Sequence, residues 1–327
     1  MPLRVWQLLS AALGLLLATV ANAEPIRTAV PRSSLNYLSI YAAEAKGLFN
    51  DEGLENETIA IGGPAAITAL LSGNVDFSGA GGSGLCAAAK GAELKAIFYQ
   101  TEKVTWFFVV HPSIKSVADL KGKKIAVGLI GDSEDRFSTM FVEKNGLSAK
   151  DITRIPMGTS SELIAAIKSG SLQAAVLDPG GMIVAEKEGL HSLAFLGDLF
   201  PLPFQGYVVT DKKIAENPGQ IRRWIRAMSR ALLSCASDPK RPPILALGSF
   251  SSATSIAPCS SKRPKPTPAF PPGVPGLPSR EGIKNILEYE VRVPMNMAAP
   301  LPAARLLDLR FAEEVKKSWS KKAWADS

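Results

Sequence analysis

The stretch Ala69-Leu70-Leu71-Ser72-Gly73-Asn74-Val75-Asp76-Phe77 is answered 97 residues later (166 − 69) by Ala166-Ile167-Lys168-Ser169-Gly170-Ser171-Leu172-Gln173-Ala174. Each reads as the end of a helix, a Ser-Gly cap and a short strand. Glycine suits the cap because it adopts the left-handed conformation that ends a helix at little cost. A glycine-rich turn follows each copy, Gly79–Gly84 and Asp178-Pro179-Gly180-Gly181. Working outward from the first copy, hydrophobic spacing predicts strands at Ile26–Val30, Glu55–Ile61, Val75–Phe77, Leu94–Tyr99 and Trp106–His111. Helices are expected at Tyr37–Ala45, Leu48–Glu52, Ala65–Leu71 and beyond Gly84. Around the second copy, strands are expected at Lys124–Val127, Ile152–Pro156, Leu172–Leu177, Leu193–Phe195 and Tyr207–Thr210. Helices are expected there at Asp135–Asn145 and Ser161–Lys168, and later at Gly219–Leu233, Ser279–Glu290 and Ala303–Ala323. Strands alternating with helices predict an α/β fold with mostly parallel pairing. The repeat predicts two similar α/β lobes, with a cleft where the carboxyl ends of their strands meet.

The composition agrees with a large folded chain. Of 327 residues, 46% are hydrophobic and 20% charged, which excludes a disordered chain or a fibre. Such a length buries roughly three quarters of its unfolded surface. The net charge of +7 is dispersed, so no basic stripe for nucleic acid is expected. Residues 1–23 read as a secretory signal peptide. Arg4 gives the positive start, Val5–Val20 the apolar run and Ala21-Asn22-Ala23 the cleavage site. Cleavage after Ala23 would lower the charge from +7 to +6 and leave an exported, soluble chain. Three cysteines and two widely separated histidines, His111 and His191, give no pattern for a zinc site or a Ser-His-Asp triad. Cys86 is expected as a buried thiol, whereas Cys235 and Cys259 could pair. No metal or cofactor is called for.

Four further segments carry a family likeness: Tyr41-Ala42-Ala43-Glu44-Ala45-Lys46-Gly47-Leu48-Phe49, Leu70-Leu71-Ser72-Gly73-Asn74-Val75-Asp76, Asp119-Leu120-Lys121-Gly122-Lys123-Lys124-Ile125-Ala126-Val127 and Ile167-Lys168-Ser169-Gly170. In these the chain resembles the periplasmic substrate-binding proteins of ABC importers, in the sulfonate, nitrate and thiamine-precursor group (NMT1/THI5-like, SsuA/TauA-like). The resemblance covers roughly residues 26–233 and resumes near Gly273. It implies a type II periplasmic binding protein, with two α/β lobes joined by two hinge strands. Lobe one would hold residues 24–110 and lobe two residues 111–205. Residues 206–327 would return to lobe one. Trp106–His111 and Gly206–Thr210 would be the crossings. The implied partners are a small-molecule ligand and an ABC permease with its ATPase at the inner membrane, and the protein would be a monomer. A ligand-sensing partner of a membrane receptor is the alternative. A thiamine-pyrimidine synthase, also related in fold, needs a histidine and metal-binding cysteines that are not clustered here.

The cleft candidates sit where strands run into helices. Helix N-termini offer unpaired N–H groups, and glycine admits a ligand close to them. In lobe one these are Ser33, Ser34, Asn36 and Tyr37, then Gly62 and Gly63, then Gly82 and Ser83. Lobe two offers Asp132, Ser133 and Asp178, and Tyr207 could supply a stacking face beside Tyr37, Tyr41 and Phe204. The same small polar residues also serve as ordinary caps. Asp132, Glu134, Asp135 and Asp178 surround Arg136, so an amine or neutral ring is as reasonable a ligand as an oxyanion. Gly79-Ala80-Gly81-Gly82-Ser83-Gly84 matches G-x-G-x-x-G, with Glu102 about 20 residues on. It does not follow the first strand, and an exported chain is remote from nucleotide cofactors, so a dinucleotide enzyme is not the reading adopted.

Residues 235–270 break the pattern. They are rich in Pro and Ser, contain no Glu, and Pro239, Pro242, Pro243 and Pro258 forbid a long helix. This atypical segment reads either as an inserted loop or as the product of a compensated frameshift, which would also create Cys235 and Cys259.

Overall fold

The computed structural model describes residues 23–236 and 276–319. The signal-peptide reading, residues 1–23, lies outside the described residues apart from Ala23, and the atypical segment, residues 235–270 with Cys259, lies outside them apart from its first two residues. Ten strands are described: β1 Glu24–Val30, β2 Leu54–Ala60, β3 Phe77–Ser78, β4 Leu94–Thr101, β5 Phe107–Val110, β6 Lys124–Val127, β7 Thr153–Pro156, β8 Ala174–Leu177, β9 His191–Phe195 and β10 Phe204–Thr210. They form two five-stranded sheets, β2-β1-β3-β10-β4 and β7-β6-β8-β5-β9. The two orders are the same pattern. Three strands pair in parallel, and a fourth arrives from the other half of the chain and runs antiparallel.

That fourth strand corrects the expectation of mostly parallel pairing. Four of the eight pairings are antiparallel, all of them made by β5 and β10. A strand that enters its sheet directly from the neighbouring lobe, without a right-handed crossover, runs against the strands already wound there. The chain leaves the first sheet after β4 and returns to it at β10, with all of the second sheet between.

The helices are α1 Leu38–Ala45, α2 Leu48–Asp51, α3 Gly63–Leu71, α4 Gly81–Ala89, α5 Ser133–Lys144, α6 Ser160–Lys168, α7 Pro179–Lys187, α8 Leu196–Leu199, α9 Asp211–Glu216, α10 Pro218–Ala236, α11 Arg280–Ile286, α12 Ala303–Leu306 and α13 Arg310–Trp319. The sequence repeat is a structural one. Helices α3 and α6 each end on a C-capping serine, Ser72 and Ser169. Each serine is followed by a glycine at φ 76°, Gly73 and Gly170. The chain then enters β3 and β8, which hold equivalent places at the middle of their sheets.

Four expected elements take different forms. The turn expected over Gly79–Gly84 is helical from Gly81, and Pro179 starts α7 as a first-turn proline. The glycines of α4 serve close packing: a Cβ on Gly81 would stand 2.5 Å from the Gly206 carbonyl oxygen, on β10. The long helix expected from Ala303 is broken, because Leu307 bridges Ala96 and the Asp308 N–H donates to the Ala96 carbonyl at 2.9 Å. This occupies backbone groups on edge strand β4 that would otherwise be unpaired. Helix α11 gives way at Leu287–Arg292 to a π-helical turn.

The first sheet is covered on both faces. On one, Trp224 of α10 stacks on Phe77 at 4.7 Å between centroids, and its indole N–H donates to Thr28 Oγ1 at 3.2 Å. On the other lie α3 and α4 together with Ile286, Val291 and Leu306. The second sheet packs Phe108, Phe137 and Phe141 on one face and Leu163, Ile167 and Met182 on the other. The four arginines of α10 are each paired: Arg222 with Glu314, Arg223 with Glu24, Arg226 with Glu52 and Arg230 with Asp51. Among the described residues, no helix is long and apolar enough to cross a membrane.

Candidate functional site

A cavity of about 70 Å³ lies between the two sheets. The turn after β1 brings Arg32, Ser34, Asn36 and Tyr37 to it, and α3 and α4 bring Gly63, Gly82 and Ser83. Tyr99, Gln205 and Gly206 reach it from β4 and β10. The facing wall consists of Asp132, Ser133 and Glu134 at the start of α5, Ser160 at the start of α6, and Val176 and Asp178 around the end of β8. Trp106 and Phe204 line it at the two crossings, and Glu290 comes from the π-helical turn.

The walls differ in how their helices begin. In the first lobe α3 and α4 follow Gly62 and Ala80, and neither has a side-chain cap. Their first-turn N–H groups keep the partial positive charge of an uncapped terminus. In the second lobe two of the caps are carboxylates. Asp132 Oδ1 accepts from the Asp135 N–H at 2.9 Å and its Oδ2 from the Leu129 N–H at 2.7 Å. Asp178 Oδ1 accepts from the Gly181 N–H at 2.7 Å. Helix α6 is closed by a reciprocal box of Thr159 and Glu162.

Polar contacts cross the cleft and hold the lobes together. Arg32 Nη2 lies 2.9 Å from Glu134 Oε2. Ser34 Oγ donates to Asp178 Oδ2 at 2.5 Å. Arg136 Nη2 lies 2.6 Å from Glu290 Oε2, and these side chains are only 11% and 4% exposed. The Glu290 carbonyl accepts from the Cys86 thiol at 3.4 Å, so the half-buried Cys86 helps seat the π-helical turn on α4. Thr105 Oγ1 donates to Asn36 Oδ1 at 2.8 Å beside the first crossing.

Burial governs the protonation of this site. The Glu134 carboxyl is pushed up to about 7, first by loss of solvent and then by the negative charges of Asp132 and Asp178, while Arg32 pulls it back. Asp132 is also raised by burial, against the pull of its two backbone N–H donors. Burial raises the hydroxyls of Tyr37 and Tyr99. No group of His, Cys, Asp and Glu that could hold a metal occurs among the described residues.

Of the residues singled out in the sequence, Ser34, Asn36, Tyr37, Gly63, Gly82, Ser83, Asp132, Ser133 and Asp178 line the cavity. Three do not. Ser33 is exposed and lies outside the lining. A Cβ on Gly62 would meet Leu129 Cδ1 at 2.8 Å, so Gly62 abuts that side chain of the second lobe. Tyr207 is fully buried in the first lobe, 4.8 Å from Trp224 between centroids. Strand alternation explains this, since Tyr207 points into the core below the sheet while Gly206 meets the cleft. Arg32, Tyr99, Trp106, Gln205 and Glu290 were not singled out. Gln205 carried no local signal, although it adopts a left-handed φ of 49°. Tyr99 and Trp106 flank a crossing, where an aromatic residue is a usable hint. Glu290 reaches the site only through tertiary packing.

The comparisons with known proteins agree with this architecture. A binding protein of Brucella abortus (strain 2308) is 30% identical over 195 residues, which is 58% of this chain and 60% of that one. The chain thus matches about 60% of the length of that relative. Among solved structures, a protein of Bordetella bronchiseptica RB50 superposes with a TM-score of 0.73 at 23% identity, covering 92% of this chain and 99% of the other. The periplasmic aliphatic sulphonate binding protein SsuA of Escherichia coli gives a TM-score of 0.56 at 22% identity, over 68% and 77%. These two likenesses establish the two-lobed periplasmic binding protein fold. Residues 34–241, more than half of the chain, match the family described as NMT1/THI5 like, and the chain belongs to that family.

Proposed function

We propose that this chain is an exported solute-binding protein, not an enzyme, that captures a small organic molecule between its lobes and delivers it to an ABC permease and its ATPase at the inner membrane. One observation carries the reading. A single cavity collects polar groups from both lobes, and the ion pair of Arg32 with Glu134 spans it. A ligand that touches both walls binds the closed form better than the open one, and only such a difference can drive closure. The permease then has a closed, loaded shape to recognise. The match to a relative named as a binding protein supports the reading.

The test is a thermal-shift panel on the purified protein, covering sulfonates, nitrate, pyrimidines, amines and aromatic acids. A ligand at a hundredfold its dissociation constant adds about 2.7 kcal/mol. One class should raise the midpoint and be recovered unchanged by mass spectrometry. A hit recovered as a different compound would contradict the reading, as would a well-folded protein that responds to no class.

A further inference from the structure

The charges in the cleft specify the ligand further. We propose that the molecule taken by this site is an organic cation, a protonated or methylated amine held by Glu134 with Asp132 and Asp178 beside it. This deepens the solute-binding reading and rests on it. Four carboxylates line the cavity, Asp132, Glu134, Asp178 and Glu290. Glu290 is committed to Arg136. The other three face one lining guanidinium, that of Arg32, with Asp132 and Asp178 also accepting hydrogen bonds from backbone N–H groups and from Ser34. Asp132, Arg32 and Glu134 crowd the same spot beside Gly128, where an added Cβ would run into Asp132 Oδ2 and stand 2.6 Å from Arg32 Nη2 and 2.9 Å from Glu134 Oε2.

Arg32 is the cation now resident in this acidic pocket. It reaches over from the other lobe, and its side chain is 27% exposed against 10% for Glu134. An arginine on a turn at the cleft mouth can swing to solvent, whereas Glu134 cannot. A ligand ammonium would take the place of the guanidinium as the positive charge that compensates the buried Glu134. An oxyanion would meet the opposite situation on this wall, because carboxylates already occupy the N-termini of α5 and α7.

Two independent features fit the same ligand. Tyr37, Tyr99, Trp106 and Phe204 line the cavity, and aromatic faces attract a desolvated cation while packing its carbons. Among the described residues the Tyr99 hydroxyl finds no hydrogen-bond partner, although the residue is 5% exposed and lines the cavity. Buried hydroxyls are rarely left so, and this one is available to a hydroxyl or carbonyl oxygen on the ligand.

Titration calorimetry on the purified protein tests the assignment. The probes are choline and benzylamine, their uncharged isosteres 3,3-dimethylbutan-1-ol and benzyl alcohol, and the anions ethanesulfonate and nitrate. At least one cation should bind ten or more times tighter than its isostere. In Glu134→Gln that preference should fall toward one. In Arg32→Ala cation affinity should rise, the opposite of what structural damage would do. Asp178→Asn is the second acidic variant, and thermal melts confirm that each variant is folded. Tighter binding of an anion, or equal binding of a cation and its isostere, overturns the cation assignment and leaves the solute-binding reading intact. Silence from all six probes with a folded protein also overturns it. The broader panel described above then decides the solute-binding reading separately.

Discussion

The two lobes are built alike and offer opposite chemistry. Both sheets have the same strand order, and both carry the unit of helix, Ser-Gly cap and central strand. Yet the helices of the first lobe reach the cleft uncapped, behind glycine and alanine, while two of those in the second are capped by Asp132 and Asp178. The fold decides that helix N-termini converge on the cleft. The residue at each cap decides the sign of the charge they present. One wall therefore offers donors and Arg32, and the other offers carboxylates.

The comparison can be broken most severely at the ion pair joining the two walls. Glu290→Ala leaves Arg136 buried without its partner, which costs about 3–5 kcal/mol. Urea unfolding should show this loss, whereas Arg27→Ala, from a surface pair 59% and 64% exposed, should cost under about 1 kcal/mol. Near-equal losses would mean that the cleft pair is not held dry.

A second effect is a pH dependence peculiar to the acidic wall. The folded value for Glu134, about 7, lies above the ordinary 4.5. Between those values the folded state binds the extra proton, so stability falls as pH rises through the window, by up to about 3 kcal/mol. Glu134→Gln should flatten that slope in thermal melts from pH 4.5 to 7. The carboxylates of Asp119, Asp151 and Glu162, outside the cleft, are lowered by hydrogen bonds, chiefly from backbone N–H groups. Their contribution has the opposite sign and is lost only as pH falls below the ordinary carboxylate range. A wild-type curve that rises between pH 4.5 and 7 would contradict the buried state of Glu134.

The smallest effect is at the caps themselves. Asp132→Ala or Asp178→Ala should each cost about 1 kcal/mol, since each removes a side-chain acceptor from a helix start. The first lobe has no equivalent substitution to make at Gly62 or Ala80. Losses well above 2 kcal/mol would show that these aspartates do more than cap.

Much of this architecture was legible because it is local. The Ser-Gly caps, the strand alternation and the glycine-rich helix starts each leave a signal within a few residues, and together they gave the two lobes and most of the cleft turns. The antiparallel strands β5 and β10 were not legible as such, because a strand carries no mark of the direction from which it enters a sheet. Tyr207 read as a cleft residue and belongs to the core, since its side depends on strand register. Arg32 and Glu290 meet their cavity partners, Glu134 and Arg136, through packing between segments far apart in sequence. The glycines of α4 read as a turn because a glycine needed for close packing on Gly206 looks the same in sequence as one needed for a bend.

Hydrogen–deuterium exchange with the ligand found in the thermal-shift panel tests the central claim most directly. A ligand clamped between the lobes should slow exchange at residues 32–37 and 79–84 of one lobe and at 131–136 and 178–181 of the other, together. Slowing confined to one lobe, or lying outside these four segments, would contradict capture by closure.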